Sequence, residues 1–96
     1  MIAKKHEFDN RTILAVCDKE LLGKTFSTEK LEIHVSTKFY GGKEITEKEL
    51  LETFNDVDSL NLVGEKCIKI LQKKGLINES SIINISKVKH AQIYKI

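Results

Sequence analysis

Leu60 to Ile77, LNLVGEKCIKILQKKGLI, is the stretch whose reading decides the fold. At about 100° per residue, Leu60, Val63, Gly64, Cys67, Ile68, Ile70 and Leu71 gather on one face, and Glu65, Lys66, Lys69, Gln72 and Lys73 on the other. That pattern predicts an amphipathic helix with its apolar face on the core. Gly75 is suited to the left-handed C′ position, and Leu76 at C″ would fold back on Leu71, so the helix is expected to end near Lys74 in a Schellman stop. Two residues sit awkwardly. Leu62 falls on the polar side of the wheel, and Gly64, inside the apolar face, costs about 1 kcal/mol relative to alanine unless something approaches closely there. Either backbone packs against Gly64, or Asn61 to Gly64 keep a helix N-terminus open to an anion.

Upstream, Thr46 and Glu49 form a capping box, with Ile45 placed to staple onto Leu50. Leu50, Leu51 and Phe54 continue an apolar stripe that should end by Asp56, with Asp58 or Ser59 capping the next helix. So short a connection implies a hairpin of two helices. At the N-terminus, Ile2 to Phe8 and Thr12 to Cys17 flank Asp9-Asn10, turn formers that tolerate positive φ, and so predict a β-hairpin. The second arm, TILAVC, is continuously apolar and reads as a central strand. Asp18 to Leu22 makes a turn or a single helical turn. Lys30 to Ser36 alternates, with Leu31, Ile33 and Val35 on one side, and reads as a third strand. Ile82 to Ile85 and Ala91 to Ile96 complete the set around a Lys87-Val88-Lys89 turn. The expectation is a single α+β domain over residues 1–96: an antiparallel-rich sheet of about five strands, in chain order βββααββ, with a two-helix hairpin on one face.

The chain of 96 residues carries a formal charge of +2, unevenly spread: +1 over residues 1–40, −5 over 41–65 and +6 over 66–96. A basic C-terminal third attracts phosphate, although lysines on the outside of a helix are ordinarily solvation. Lys66, Lys69 and Lys73 form one stripe. Arginine, the residue of bidentate base and phosphate contacts, occurs only at Arg11, so sequence readout of DNA is not expected. No apolar run reaches the length of a membrane span, and no secretory h-region follows Met1. A soluble cytoplasmic chain without membrane contact is expected.

The soft ligands are His6, His34, His90, Cys17 and Cys67, with no C-x-x-C or H-x-x-x-H spacing. No metal or cofactor is therefore expected. Cys17 beside Asp18 could be drawn as a nucleophile, but a cysteine ending an apolar strand is read first as a reduced core residue. Tyr40-Gly41-Gly42 either make a turn or let a ligand reach the backbone beside an exposed aromatic.

CDKELLGKTF (17–26), the strand leading into FYGG (39–42), NLVGE (61–65) with its helix running to KKGLI (73–77), and HAQI (90–93) together resemble the archaeal domain-of-unknown-function 424 family, over about Ala15 to Tyr94. The resemblance implies a small archaeal, cytosolic α+β protein and assigns no activity, substrate or catalytic residue. The family tends to place Gly-Val-Pro before His-Ala-Gln, whereas this chain has Lys87-Val88-Lys89, which removes a fixed φ from that turn. Of the residues that match its motifs, Asp18, Lys24, Tyr40, Gly41, Gly42, Asn61, Gly64, Glu65, His90 and Gln92 are polar, aromatic or glycine and are expected to share one binding surface.

The leading functional reading is a small non-catalytic binding module for RNA or a ribonucleoprotein, with Lys66, Lys69 and Lys73 as its basic face. The alternative is a protein-interaction adapter that uses the Tyr40 loop and the acidic 41–65 segment. An enzyme using Cys17, Asp18 or His90 ranks last.

Overall fold

The computed structural model describes residues 1–95. In chain order its strands are β1 (Ile2–Phe8), β2 (Arg11–Cys17), β3 (Thr25–Ser27), β4 (Glu32–His34), β5 (Lys43–Glu44), β6 (Ser59–Val63), β7 (Ile82–Ile85) and β8 (Val88–Tyr94), and its helices are α1 (Thr37–Tyr40), α2 (Glu47–Phe54) and α3 (Glu65–Lys73). Six strands form one sheet in the order β5-β1-β2-β6-β8-β7, antiparallel except for the β2–β6 pair, and β3 and β4 form a separate two-stranded sheet. The α+β class with a mostly antiparallel sheet is as expected. The strand count and order are not.

The largest difference lies in the deciding stretch. Ser59–Val63 is a strand, parallel to β2 with Leu60 opposite Leu14 and Leu62 opposite Val16, and the helix begins only at Glu65. Leu60 and Leu62 alternate onto the helix-covered face and both are fully buried, which is why Leu62 fell off the helical wheel. Gly64, at φ +120° and ψ 150°, occupies a region open to glycine alone and turns the strand into the helix. The expected two-helix hairpin is thus interrupted by the central strand. Neither Asp58 nor Ser59 caps a helix.

Both helices nevertheless lie on the same face. Leu50 and Phe54 of α2 and Cys67, Ile68 and Leu71 of α3 pack with Leu14, Val16, Leu60, Leu62 and Ala91 of the sheet in one buried cluster. α2 starts with the expected capping box: Glu49 N–H donates to Thr46 Oγ1 at 3.1 Å, and Thr46 N–H donates to Glu49 Oε1 at 2.9 Å. α3 ends in the expected Schellman motif, with Leu76 N–H on the Leu71 carbonyl at 2.9 Å, Gly75 N–H on that of Gln72 at 3.0 Å, and Gly75 at φ +68°.

Two tight turns frame the sheet. Asp9 and Asn10, at φ 51° and 63°, close β1 on β2. Ser86 and Lys87, at φ 51° and 70°, close β7 on β8. The second turn lies earlier than expected because Val88 and Lys89 belong to the strand, Val88 opposite Ile85 and Lys89 opposite Asn84.

The segment between β2 and β5 covers part of the opposite face. Val35 and Tyr40 pack there against Ile2, Ala15, Cys17 and Val63, with Phe26, Ile33 and Phe39 around them. The expected Lys30–Ser36 strand is reduced to β4, and it pairs with β3 rather than with the main sheet. Leu31 is consequently 47% exposed.

Candidate functional site

The expected motif surface divides into parts with different roles. Asp18 is only 3% exposed. Its Oδ2 accepts the Lys66 N–H at 2.9 Å and its Oδ1 the Cys67 N–H at 3.0 Å, so a carboxylate from the end of β2 caps α3. It satisfies free N–H groups and the positive end of the helix dipole together. A Cβ on Gly64 would stand 2.3 Å from Asp18 Cγ. Gly64 is therefore the residue that admits Asp18: of the two readings of Gly64 close approach holds, and the place of an anion is filled by the chain's own carboxylate. Glu65 is the exposed first residue of α3. Lys24 is also exposed; its carbonyl takes the Val35 N–H at 2.8 Å and holds the covering segment together.

Tyr40-Gly41-Gly42 resolves in favour of packing. Tyr40 is 4% exposed, its phenol pushed up to about 12 by burial, and its ring belongs to the second cluster rather than to the surface. A Cβ on Gly42 would meet the Ala3 carbonyl oxygen at 1.9 Å, and one on Gly41 the Thr37 carbonyl oxygen at 2.2 Å. Both glycines permit backbone contact, and the adapter reading loses its aromatic. His6, stacked on Phe39 at 4.6 Å with Nε2 donating to the Phe39 carbonyl at 2.7 Å, docks α1 on β1.

Cys17 and Cys67 are buried free thiols. Burial and then the Asp18 carboxylate push Cys17 up to about 11, and the same two causes raise Cys67. A thiol held protonated next to a carboxylate committed to a helix cap is poorly placed as a nucleophile. Among the described residues no three histidine, cysteine or acidic side chains gather as a metal site.

Asn61, His90 and Gln92 do come together, on the half of the sheet that the covering segment leaves open. In β8, Ala91 and Ile93 face the helices, and His90, Gln92 and Tyr94 face away. Gln92 lies opposite Asn61, Tyr94 opposite Ser59, and Ser59 opposite Ile13 of β2. His6 completes that row on β1, opposite Ile13, and Phe8 lies on the same face one pair further along, opposite Arg11. Tyr94 is 72% and Phe8 71% exposed. Tyr94 OH donates to Gln92 Oε1 at 3.1 Å, and Gln92 Nε2 donates to Asn61 Oδ1 at 3.4 Å, a polar chain across the strands. His90 Nδ1 donates to the Leu62 carbonyl at 2.9 Å, which fixes its ring.

Tyr94 lines three shallow depressions, two of which take in the residues of this face. One, of about 310 Å³, includes Ser81, Ile83, His90 and Gln92. The other, of about 330 Å³, includes Phe8, Arg11, Ile13 and Ser59, with Asp9 and Asp58 at its rim. Of the charged strand residues on this face, Lys4 donates to the Lys38 carbonyl of the covering segment at 2.9 Å and Glu44, opposite Ile2, pairs with Lys19; Arg11, the chain's single arginine, lies beside Phe8 on the open half.

Phe8, Arg11, Ile13 and Tyr94 were not singled out from sequence. The signal was present in His-Ala-Gln-Ile-Tyr, where period two puts Tyr94 on the side of His90 and Gln92. Lys66, Lys69 and Lys73 are exposed as expected, on the helix side of the sheet, and Lys66 pairs with Glu20 at 3.5 Å.

A family model described as "Protein of unknown function (DUF424)" matches residues 6–96. No curated protein matches the chain. The crystal structure of an uncharacterized conserved protein from Methanopyrus kandleri is similar throughout, with a TM-score of 0.79 and 26% identity, covering 97% of this chain and 89% of that one.

Proposed function

The chain belongs to the DUF424 family, and we propose that it is a non-catalytic binding module that takes single-stranded RNA, free or within a ribonucleoprotein, on the open half of its sheet. The observation that carries this reading is the pair of exposed aromatics, Phe8 and Tyr94, on the open half of a sheet face, with the Arg11 guanidinium beside Phe8. Aromatics on a flat strand surface stack bases whatever their sequence, and a nearby cation, here Arg11, attracts the backbone. Asn61, His90 and Gln92 supply donors and acceptors between them. The archaeal, cytosolic setting that the family implies is part of the same proposal.

In this reading Lys66, Lys69 and Lys73 attract RNA at long range and do not touch the bases. Anisotropy of a labelled uridine oligomer at low salt tests both surfaces. Tyr94→Ala and Phe8→Ala should each weaken binding about tenfold, since a stacked base contributes about 1–3 kcal/mol. Both should leave the thermal midpoint nearly unchanged, because exposed substitutions shift stability by about 0.5 kcal/mol. Changing the three lysines to glutamate should slow association more than it speeds dissociation. With Arg11 as the cation of the open strands, log affinity should fall with log salt at a slope of about −0.7. Absence of binding by the unaltered protein would refute the proposal. Full binding by both aromatic variants, with loss in the lysine variant, would move the contact to α3.

A further inference from the structure

The depression between Phe8 and Tyr94 has features that the rest of the face lacks. Ile13 and Ser59 line it between the two aromatics, and its volume of about 330 Å³ leaves room for a flat ring system. Two carboxylates, Asp9 and Asp58, border it with one guanidinium, Arg11. The Lys95 ammonium is turned away, 4.7 Å over the Phe54 ring and donating to the Phe54 carbonyl. A phosphate would meet more negative than positive charge there, whereas a neutral ring with donors on its edge would not.

Asp58 is the fixed member of the acidic pair. Its backbone N–H donates to the Thr12 carbonyl at 2.9 Å, its carbonyl accepts the Lys95 N–H at 2.9 Å, and its Oδ2 accepts the Thr12 N–H at 2.7 Å. A carboxylate offers about four acceptor positions, and Thr12 N–H takes one of those on Asp58, which borders the depression. Guanine alone among the RNA bases carries two adjacent donors, N1–H and the exocyclic amine, that match one carboxylate. Adenine and cytosine each present an amine beside an acceptor, and uracil presents one N–H between two carbonyls.

We infer that this depression holds a single guanine of a single-stranded RNA, its ring against Tyr94 and its N1–H and amine donating to the Asp58 carboxylate. The inference rests on the RNA reading above and names the base at one position of that same face. The probes are uridine oligomers carrying one central guanine, inosine or adenine, compared with the all-uridine oligomer by anisotropy. Guanine should bind about tenfold tighter than adenine, the discrimination expected of one bidentate contact. Inosine, which lacks the amine, should fall between them, a comparison that requires no protein variant. Asp58→Asn retains an oxygen for the Thr12 N–H, and should erase the guanine preference while all-uridine binding stays at the unaltered level or rises. Equal affinity for guanine and adenine, or a preference that survives Asp58→Asn in a variant with an unchanged melting curve, would overturn the guanine assignment and leave the RNA reading standing. Failure of every oligomer to bind would overturn both.

Discussion

Single residues divide here into those that hold the fold and those that face outward, and Asp18 and Gly64 show how the first kind can resemble the second. A buried carboxylate beside a glycine at a helix N-terminus has the composition of a ligand site, yet the carboxylate is itself the ligand of the helix. Asp18→Ala should cost about 2 kcal/mol in urea unfolding, because N–H groups lose a charged acceptor. Gly64→Ala should cost about 3 kcal/mol, from a backbone region reserved for glycine and from the collision with the carboxylate. The double variant should cost less than the sum, since deleting the carboxylate removes the collision. Strict additivity would mean the two residues do not share one cap. From sequence, Gly64 was legible as a point of close approach. Asp18 was not legible as its partner, because the contact spans 48 residues and leaves no periodic trace.

The buried thiol and phenol also give a pH signature. Cys17 is pushed up to about 11 and Tyr40 to about 12, so both groups keep their protons in the folded protein at pH values where the unfolded chain has lost them. The unfolded state then binds fewer protons, and stability falls as pH rises. The urea midpoint should decline from about pH 9 upward, where unfolded cysteine begins to ionise. Tyr40→Phe should lessen the decline above about pH 10, the range in which unfolded tyrosine ionises. A midpoint unchanged to pH 11 would contradict the burial of these groups.

Elements whose signals are local were readable from the chain. The capping box of α2, the Schellman end of α3 and the Asp9-Asn10 turn each rest on chemistry within a few residues, and each is found where expected. Thr46→Ala should accordingly cost about 1 kcal/mol in urea unfolding. What misled was β6. Leu60, Val63 and Cys67 stand three and four apart, a helical spacing, although the first two belong to a strand and the third to a helix. Only Leu62, in step with Leu60 at period two, betrayed the strand, and a strand of five residues is too short for periodicity to overrule its neighbours. The β7–β8 turn is an element with room for improvement. Lys87 sits at φ 70°, where a side chain costs about 1–2 kcal/mol. Lys87→Gly should raise stability by about 0.5 kcal/mol after the entropy that glycine loses on folding, read as a higher melting temperature. A lowered one would mean the lysine side chain is held there.

Across the whole molecule, the order β5-β1-β2-β6-β8-β7 sets the parallel β2–β6 pair in the middle and gathers α2 and α3 on one face. The other face is covered at one end by Val35, Tyr40 and their neighbours, which leaves Phe8 and Tyr94 on strands far apart in sequence but lining one depression. That juxtaposition was not legible beforehand. It depends on strand order, and strand order follows from β6 being a strand. Of the residues expected to form a common surface, Asn61, His90 and Gln92 do so. Asp18 and Gly64 form the helix cap, and Tyr40, Gly41 and Gly42 hold the covering segment on the sheet. The most direct test of the open sheet as the binding face is an amide NMR titration of the full chain with a short single-stranded RNA. Binding there predicts progressive shifts clustered at Phe8, Arg11, Asn61, His90, Gln92 and Tyr94, with little change along α3; shifts confined to Lys66, Lys69 and Lys73 and their neighbours, with β8 unmoved, would contradict it.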